Sequence, residues 1–195
     1  IAPDAVSYGE VAVDGGTLPI CMAGEGAPVI LLHGWTLDHR MWTPQVAGLA
    51  DDFFLVMPDR RGCGRATAPP DLMREAEDVI AIADFLGFDR FALLGLSRGA
   101  VVALDVARIL VKHPEQLLST DIPDHVYQGL KTSPVTDVHV FGRRGPAQVK
   151  FTPLELREAV HIEGVDTYVY EEDFKYDEGS QRAIDSNNQT RVMVN

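Results

Sequence analysis

Three continuous runs of apolar residues stand out in the first half of the chain, at residues 28–32, 53–57 and 91–94. Strands that are buried on both faces have this continuous pattern, whereas strands with one exposed face alternate. Between these runs, apolar residues recur at helical spacing over residues 41–50 and 72–86, and Gly87 follows the second stretch. The pattern predicts strands alternating with helices, which is typical of a parallel sheet covered by helices.

Two further pairs of segments extend this prediction. Residues 7–14 and 18–23 flank Asp14-Gly15-Gly16, a turn signal that favours a hairpin. In the second half, Val138–Phe141 and Asp166–Tyr170 are predicted as strands added beyond the third apolar run by right-handed crossovers. The predicted fold class is α/β: a three-layer αβα sandwich with a mostly parallel, doubly wound sheet and an antiparallel N-terminal hairpin. The last apolar pair, Met193-Val194, is expected to be an edge piece or a disordered tail.

Charge and composition narrow the function classes. The formal net charge of −12 repels nucleic-acid phosphate and anionic lipid, and no basic stretch compensates. No apolar run approaches the ~18 residues of a membrane span, and the first residues lack the pattern of a signal peptide. Cys21 and Cys63 are too few for a disulfide framework or a metal set. We therefore expect a cytoplasmic protein with reduced thiols and no metal, which binds neither nucleic acid nor membrane.

The strongest chemical motif is Gly95-Leu96-Ser97-Arg98-Gly99, between the third apolar run and a predicted helix. This is the context of a nucleophile elbow, in which the serine occupies a strained turn and flanking glycines allow tight folding. The helix N-terminus offers N–H groups and a positive dipole end to a developing oxyanion. Ser97 is the candidate nucleophile. The alternative is an ordinary strand-to-helix turn that contains a serine by chance.

Two more segments agree with the elbow in order and spacing. His33-Gly34-Trp35 follows the first apolar run, and Asp59-Arg60-Arg61-Gly62-Cys63-Gly64 follows the second. With the elbow, residues from about 8 to about 102 resemble the N-terminal part of an α/β-hydrolase of the small esterase, lactonase or haloperoxidase-like kind. That resemblance implies that the backbone N–H groups of Trp35 and Arg98 form the oxyanion hole.

The catalytic partners of Ser97 are missing from the sequence pattern. The α/β-hydrolase order requires a serine, then an acid, then a histidine. Glu171, Glu172 and Asp173 offer an acid, but no histidine follows them. We interpret the remaining candidates as packing or surface histidines: His33, His113, His125, His139 and His161. Because Ser97 has no identifiable base, at most weak ester hydrolysis is expected.

The second half resembles a different family. The matching pieces are residues 103–110, 120–125, 138–146 and 151–158. From about residue 102 to at least 170 the chain resembles the NADP-binding domain of ferredoxin–NADP reductases of the adrenodoxin-reductase type. The resemblance implies that Arg143 and Arg144 bind the 2′-phosphate of NADP, as guanidinium groups at a strand end can do. The alternative is a solvated arginine pair in a loop.

The rest of that nucleotide site is incomplete. Ser97 occupies the position of the second glycine in the family's glycine-rich turn, where the backbone must approach a pyrophosphate closely. The flavin-binding segments of the reductases have no counterpart in the chain, so no FAD is expected. No cofactor is expected to be required, and NADP is the one candidate.

The two resemblances lead us to interpret the chain as a chimera joined near residue 102. We expect a single hybrid α/β domain over 1–195, with an α/β-hydrolase-like segment (1–102) and a reductase-like segment (103–195). Engineered recombination is favoured, because a natural protein would be expected to retain one complete site. The expected function is that of a scaffold with at most weak serine-ester hydrolysis. The alternatives are an NADP(H)-binding module and a natural mosaic hydrolase. The expected ligand is a small ester or a nucleotide. Exposed apolar surface is expected to favour self-association.

Overall fold

The chain folds into two compact units. The computed structural model describes residues 6–120, 122, 124–133, 135–141, 147 and 153–194. The first unit consists of Ile1–Ile109 and Thr132–Val135, and the second of Leu110–Lys131 and Thr136–Asn195. The single hybrid domain expected from the sequence stays a prediction.

The first unit is built on a five-stranded mixed sheet. Its strands are β1 (Val6–Val13), β2 (Gly16–Ala23), β3 (Ala27–Leu32), β4 (Phe53–Pro58) and β5 (Ala92–Gly95). The strand order is β1-β2-β4-β3-β5. Strand β3 pairs in parallel with β4 and β5, while β2 pairs antiparallel with β1 and β4. The predicted α/β sandwich with an antiparallel N-terminal hairpin is therefore confirmed.

The continuous apolar runs occupy the centre of this sheet, as their pattern predicts. Ile30, Leu31 and Leu32 of β3 are fully buried, and so are Leu55 and Val56 of β4. Burial on both faces explains why neither strand alternates between apolar and polar residues. These two central strands hold their C-terminal ends in fixed positions, and the loops that follow them carry the candidate site.

Three helices accompany the sheet: α1 (Thr43–Leu49), α2 (Glu75–Leu86) and α3 (Arg98–Leu110). A 3₁₀ turn at His39–Trp42 leads into α1, whose first turn contains a proline. Gly87 ends α2 in the left-handed region at φ 70°, and its N–H caps two carbonyls of the last turn. Helix α2 starts at Glu75, three residues later than the apolar spacing from Leu72 suggests.

The described residues of the second unit form helices and irregular segments. The helices are α4 (Asp124–Lys131), α5 (Pro153–Val160), α6 (Glu178–Ser186) and α7 (Asn188–Val194), with 3₁₀ turns at Pro114–Leu117 and Glu171–Phe174. Met193 and Val194 belong to α7, so the predicted edge piece or disordered tail is wrong. Among the described residues, no helix is long and apolar enough to cross a membrane.

The two strands predicted in the second half are also wrong. Val138–Phe141 and Asp166–Tyr170 are irregular, and their large side chains are exposed, with Phe141 at 88% and Tyr168 at 81%. A short apolar run forms a strand when a neighbouring strand pairs with it and its faces are buried. Within the described part of the chain neither condition holds for these segments, so the sheet ends at β5.

Candidate active site

The elbow adopts the strained geometry that its motif predicts. Ser97 lies between β5 and α3 with φ 56°, a left-handed conformation that is uncommon for a residue other than glycine. A Cβ on Gly95 would collide with the backbone of Gly99 and Ala100, so this turn requires glycine. The Ser97 side chain is exposed. An exposed serine on a sharp turn is accessible for nucleophilic attack.

Hydrogen bonds fix the elbow to the centre of the sheet. The N–H of Leu96 donates to the carbonyl of Leu32 at the end of β3, over 3.1 Å. The N–H of Gly99 donates to Leu96 and that of Ala100 donates to Ser97, each over 3.0 Å. The N–H of Arg98 begins α3, where the first N–H groups of a helix have no partner within the helix. That group is available to a developing negative charge.

The segment His33-Gly34-Trp35 after β3, called the oxyanion loop below, contacts the elbow. A Cβ on Gly34 would lie 3.5 Å from both the Leu96 carbonyl oxygen and the Ser97 Cβ, so the loop backbone lies against the nucleophile. Trp35 follows with its side chain 58% exposed, and Thr36 has φ 60°. The structure therefore brings together the segments that carry Ser97, Trp35 and Arg98. The oxyanion roles of Trp35 and Arg98 stay predictions.

His33 is a buried structural histidine with both ring nitrogens bonded. Its Nε2 accepts the N–H of Arg60 over 3.0 Å, so the ring proton lies on Nδ1, which donates to the Gly34 carbonyl over 2.8 Å. Burial lowers the pKa of His33, although the bond to Gly34 opposes this effect. The neutral ring joins the loop after β3 to the loop after β4. This agrees with its interpretation as a packing histidine.

A buried ion network connects the oxyanion loop with the elbow. Arg60 Nη1 is paired with Glu75 Oε1, and Arg60 Nη2 donates to the Gly34 carbonyl over 3.2 Å. Arg98 Nε donates to Glu75 Oε2 over 2.8 Å, and Arg98 Nη2 forms an ion pair with the same oxygen at 2.7 Å. The side chains of Arg60 and Glu75 are 4% and 5% exposed. Sequence reasoning missed Glu75, because only the acidic start of a predicted helix is visible there.

A second polar cluster was also missed. The buried carboxylate of Asp59 accepts the N–H and Nδ1 of His39, over 3.0 and 2.6 Å, and the N–H of Arg65 over 2.9 Å. Burial alone would raise the pKa of Asp59, but these hydrogen bonds outweigh it and lower the pKa. His39 contacts the ring of Tyr8 on the outer strand β1. The cluster thus extends toward the opposite edge of the sheet from β5.

This cluster also contains the one group of candidate metal ligands in the described residues. One ligand atom from each of Asp38, His39 and Asp59 lies within 4.8 Å of the others. Arg40 pairs with Asp38 through Nε and Nη2, and it holds the pKa of Asp38 down at about 2. Asp59 is occupied by the donors described above. The existing hydrogen bonds explain the arrangement without an ion.

No described histidine side chain forms a hydrogen bond with the Ser97 hydroxyl. In the first unit, His33 uses both nitrogens and His39 is directed to Asp59. In the second unit, His161 bonds the Arg157 carbonyl over 2.8 Å and His139 stacks on Phe141. His113 takes part in the cap of the 3₁₀ turn at Pro114–Leu117. The side chain of His125 lies outside the described residues, as do Arg143 and Arg144, the predicted NADP ligands.

A small pocket opens beside the oxyanion loop. Its volume is about 170 Å³, and Trp35, Leu72 and Glu75 are among the residues that line it. Glu75, which lines the pocket, also accepts a hydrogen bond from the Arg98 side chain, whereas no residue of the elbow lines the pocket itself. The site therefore combines an exposed serine with the adjacent start of α3 and the Gly34 backbone.

Comparison with known proteins identifies the family. The model of the Alpha/beta hydrolase family matches residues 29–163, more than half of the chain. The chain belongs to this family. The match includes all three hydrolase-like motifs and continues past residue 102, where the sequence resemblance to hydrolases was expected to end.

Several of the hydrolases that the chain resembles are epoxide hydrolases, a kind not expected from the sequence. The chain is 31% identical over 101 residues to the soluble epoxide hydrolase of Corynebacterium sp. strain C12, covering 50% of this chain and 35% of that protein. The crystal structure of an epoxide hydrolase from Vigna radiata matches with a TM-score of 0.50 and 28% identity. That match covers 53% of this chain and 36% of the other.

A reductase similarity is present as well. The chain is 45% identical over 103 residues to the NADPH-ferredoxin reductase FprA of Mycobacterium leprae, covering 46% of this chain and 23% of that protein. The hydrolase and reductase resemblances are thus both confirmed, and the chain is a mosaic of the two. It spans only about a quarter of the reductase relative and about a third of the epoxide hydrolase relative.

Proposed function

We propose that the protein is a weak serine-ester hydrolase that uses Ser97 as its nucleophile and lacks a complete active site. The observation that carries this proposal is the exposed serine at φ 56°, with the N-terminus of α3 and the Gly34 loop beside it. Small activated esters are the proposed substrates, because their leaving groups depart without help from a general acid.

The proposed chemistry needs few partners. The Ser97 oxygen attacks the ester carbonyl and loses its proton to water, while the carbonyl oxygen becomes an anion near the N–H groups of Trp35 and Arg98. Collapse of this intermediate expels the alcohol and leaves an acyl-serine, which water then hydrolyses. No described histidine side chain bonds Ser97, so within the described part of the chain neither step has a positioned base. Loss of triad function costs several powers of ten in rate, while the oxyanion hole alone retains about 10³–10⁴ over water.

The test is hydrolysis of p-nitrophenyl acetate by wild type and Ser97→Ala. We expect slow, steady turnover by wild type, and a rate equal to that of buffer in Ser97→Ala. Ser7→Ala is the matched control, because Ser7 is an exposed serine of β1 in the same unit, and it should keep the wild-type rate. Release of one equivalent of p-nitrophenol without further turnover, or no release at all, would contradict the proposal.

A second candidate function is NADP(H) binding. The similarity to an NADPH-ferredoxin reductase favours it. We infer that a reductase-like segment, 103–195, was joined to the hydrolase-like segment near residue 102, with engineered recombination as the favoured origin. Arg143 and Arg144 are the proposed ligands of the 2′-phosphate. Fixed charge and forked hydrogen bonding suit guanidinium groups to that role.

Thermal stabilisation measures this binding. We expect millimolar NADP to raise the melting temperature and NAD to leave it unchanged, because NAD lacks the 2′-phosphate. Arg143→Ala should remove the NADP effect, whereas Arg182→Ala, which removes an exposed arginine of α6, should retain it. An equal response to NADP and NAD, or no response to either, would rule out this function.

A further inference from the structure

One carboxylate joins the two segments that carry the predicted oxyanion donors. Glu75, the first residue of α2, accepts hydrogen bonds from Arg60 at Oε1 and from Arg98 at Oε2. We propose that Glu75 is a positioning residue that aims the backbone N–H groups of Trp35 and Arg98 at the oxygen that becomes negative when Ser97 attacks. This inference rests on the proposed ester hydrolysis at Ser97.

Through Arg60, Glu75 constrains the peptide group between Gly34 and Trp35. The Gly34 carbonyl and the Trp35 N–H belong to one planar trans peptide, so they point in opposite directions. Two donors hold the carbonyl, His33 Nδ1 over 2.8 Å and Arg60 Nη2 over 3.2 Å. Holding the carbonyl on one side therefore fixes the direction of the Trp35 N–H on the other. Glu75 in turn holds the guanidinium of Arg60.

Through Arg98, Glu75 also constrains the elbow. Arg98 directs two nitrogens at Glu75 Oε2, over 2.8 and 2.7 Å, and its Nη2 also donates to the Leu72 carbonyl over 3.3 Å. Arg98 is the first residue of α3, so its side chain ties the helix start to α2. Charge-assisted bonds in a buried site are among the strongest hydrogen bonds in proteins. Glu75 thereby fixes the elbow and the oxyanion loop relative to each other.

The chain offers a matched pair that separates positioning from simple stabilisation. Asp78, one turn further along α2, is 6% exposed and forms a buried fork with Arg61, over 2.6 and 2.7 Å. No hydrogen bond joins Asp78 or Arg61 to Gly34 or Arg98 among the described residues. If Glu75 served only stability, loss of its charge and loss of the Asp78 charge would have the same effect on the reaction.

The experiment compares Glu75→Gln with Asp78→Asn. For each variant we measure the rate constant of p-nitrophenol release and the KM for p-nitrophenyl acetate. Thermal melts give the folded fraction of each variant, by which its rate constant is corrected. We expect Glu75→Gln to lower the rate constant about 10- to 100-fold with KM changed by less than about twofold, because misaimed donors stabilise the anion poorly without affecting substrate binding. Asp78→Asn should stay within about twofold of wild type in both values. If Glu75→Gln does not fold, Arg98→Lys tests the same link, because lysine keeps the charge but cannot form the fork.

A second measurement is independent of activity. The backbone amide resonances of Trp35 and Arg98 should shift or broaden together in Glu75→Gln and remain unchanged in Asp78→Asn. Equal rate constants in the two variants, with Ser97→Ala inactive, would overturn the role of Glu75 while leaving hydrolysis intact. If wild type itself is inactive, the hydrolysis proposal fails. In that case the amide resonances test whether Glu75 orients the N–H groups of Trp35 and Arg98. Unchanged resonances in Glu75→Gln would refute this positioning role.

Discussion

Gly99→Ala is expected to destabilise the first unit by about 3 kcal/mol, the upper end of the usual cost of overpacking. A Cβ at this position would collide with the carbonyl group of Leu32 and the carbonyl oxygen of His33. Both obstacles are backbone, so no side chain can rotate away. The end of β3 and the start of α3 would have to separate, and the bond from the Leu96 N–H to the Leu32 carbonyl would be weakened.

Urea unfolding followed by tryptophan fluorescence measures this cost. Both tryptophans, Trp35 and Trp42, lie in the first unit, so the signal reports on that unit. Gly48→Ala is the matched control, because nothing lies within 4 Å of a Cβ added there and Gly48 sits within helix α1. The control should gain up to about 1 kcal/mol from the higher helix propensity of alanine. Similar stabilities of Gly99→Ala and wild type would show that β3 and the elbow are not in the close contact described.

Asp59→Ala is expected to cost about 3 kcal/mol in the free energy of unfolding. The substitution leaves the N–H groups of His39 and Arg65 and the His39 ring without their acceptor, in a site where the Asp59 side chain is 1% exposed. Removing one partner from a buried charged network has a cost of this size, because the remaining groups stay desolvated. Asp51→Ala, at an exposed turn before β4, should change stability by less than about 0.5 kcal/mol.

The pH dependence of the Asp59 effect has a definite sign. Because the pKa of Asp59 is lowered in the folded protein, its contribution is complete above the unfolded value near 4 and is lost as the pH falls through the folded value. The stability difference between wild type and Asp59→Ala, measured by urea unfolding, should therefore shrink as the pH falls below about 4. A difference that grows on acidification would contradict this assignment.

Features that depend on local sequence could be predicted. The buried strands β3 and β4 follow from uninterrupted apolar runs, and the elbow follows from glycines and a serine at fixed spacing between a strand and a helix. The segments at 138–141 and 166–170 have comparable local patterns, yet they are irregular in the structure. A strand depends on a partner to pair with it and on surfaces that bury it, and an isolated run of residues does not reveal either.

The polar links within the site could not be predicted for a related reason. Glu75 lies 15 residues from Arg60 and 23 from Arg98, and His39 lies 20 residues from Asp59. Each pair meets only after the sheet has placed the loops after β3 and β4 beside the starts of α2 and α3. An acidic residue in the first turn of a helix is explained well enough by the helix dipole, so the sequence offers no reason to seek a distant partner.

The position of β5 at the end of the described sheet has one further consequence. The strand that supports the nucleophile is also an edge strand of this sheet, and in the part of the chain that the structure describes no further strand pairs with its outer side. Margins of this kind are commonly guarded by lysine, proline or a bulge. The sequence of β5 is Ala-Leu-Leu-Gly, so it contains no such guard. The four residues of β5 therefore lead into the tight turn of the elbow and also form an edge of the sheet. Their sequence suits the turn, but it contains none of the features that protect an edge strand from pairing with another chain.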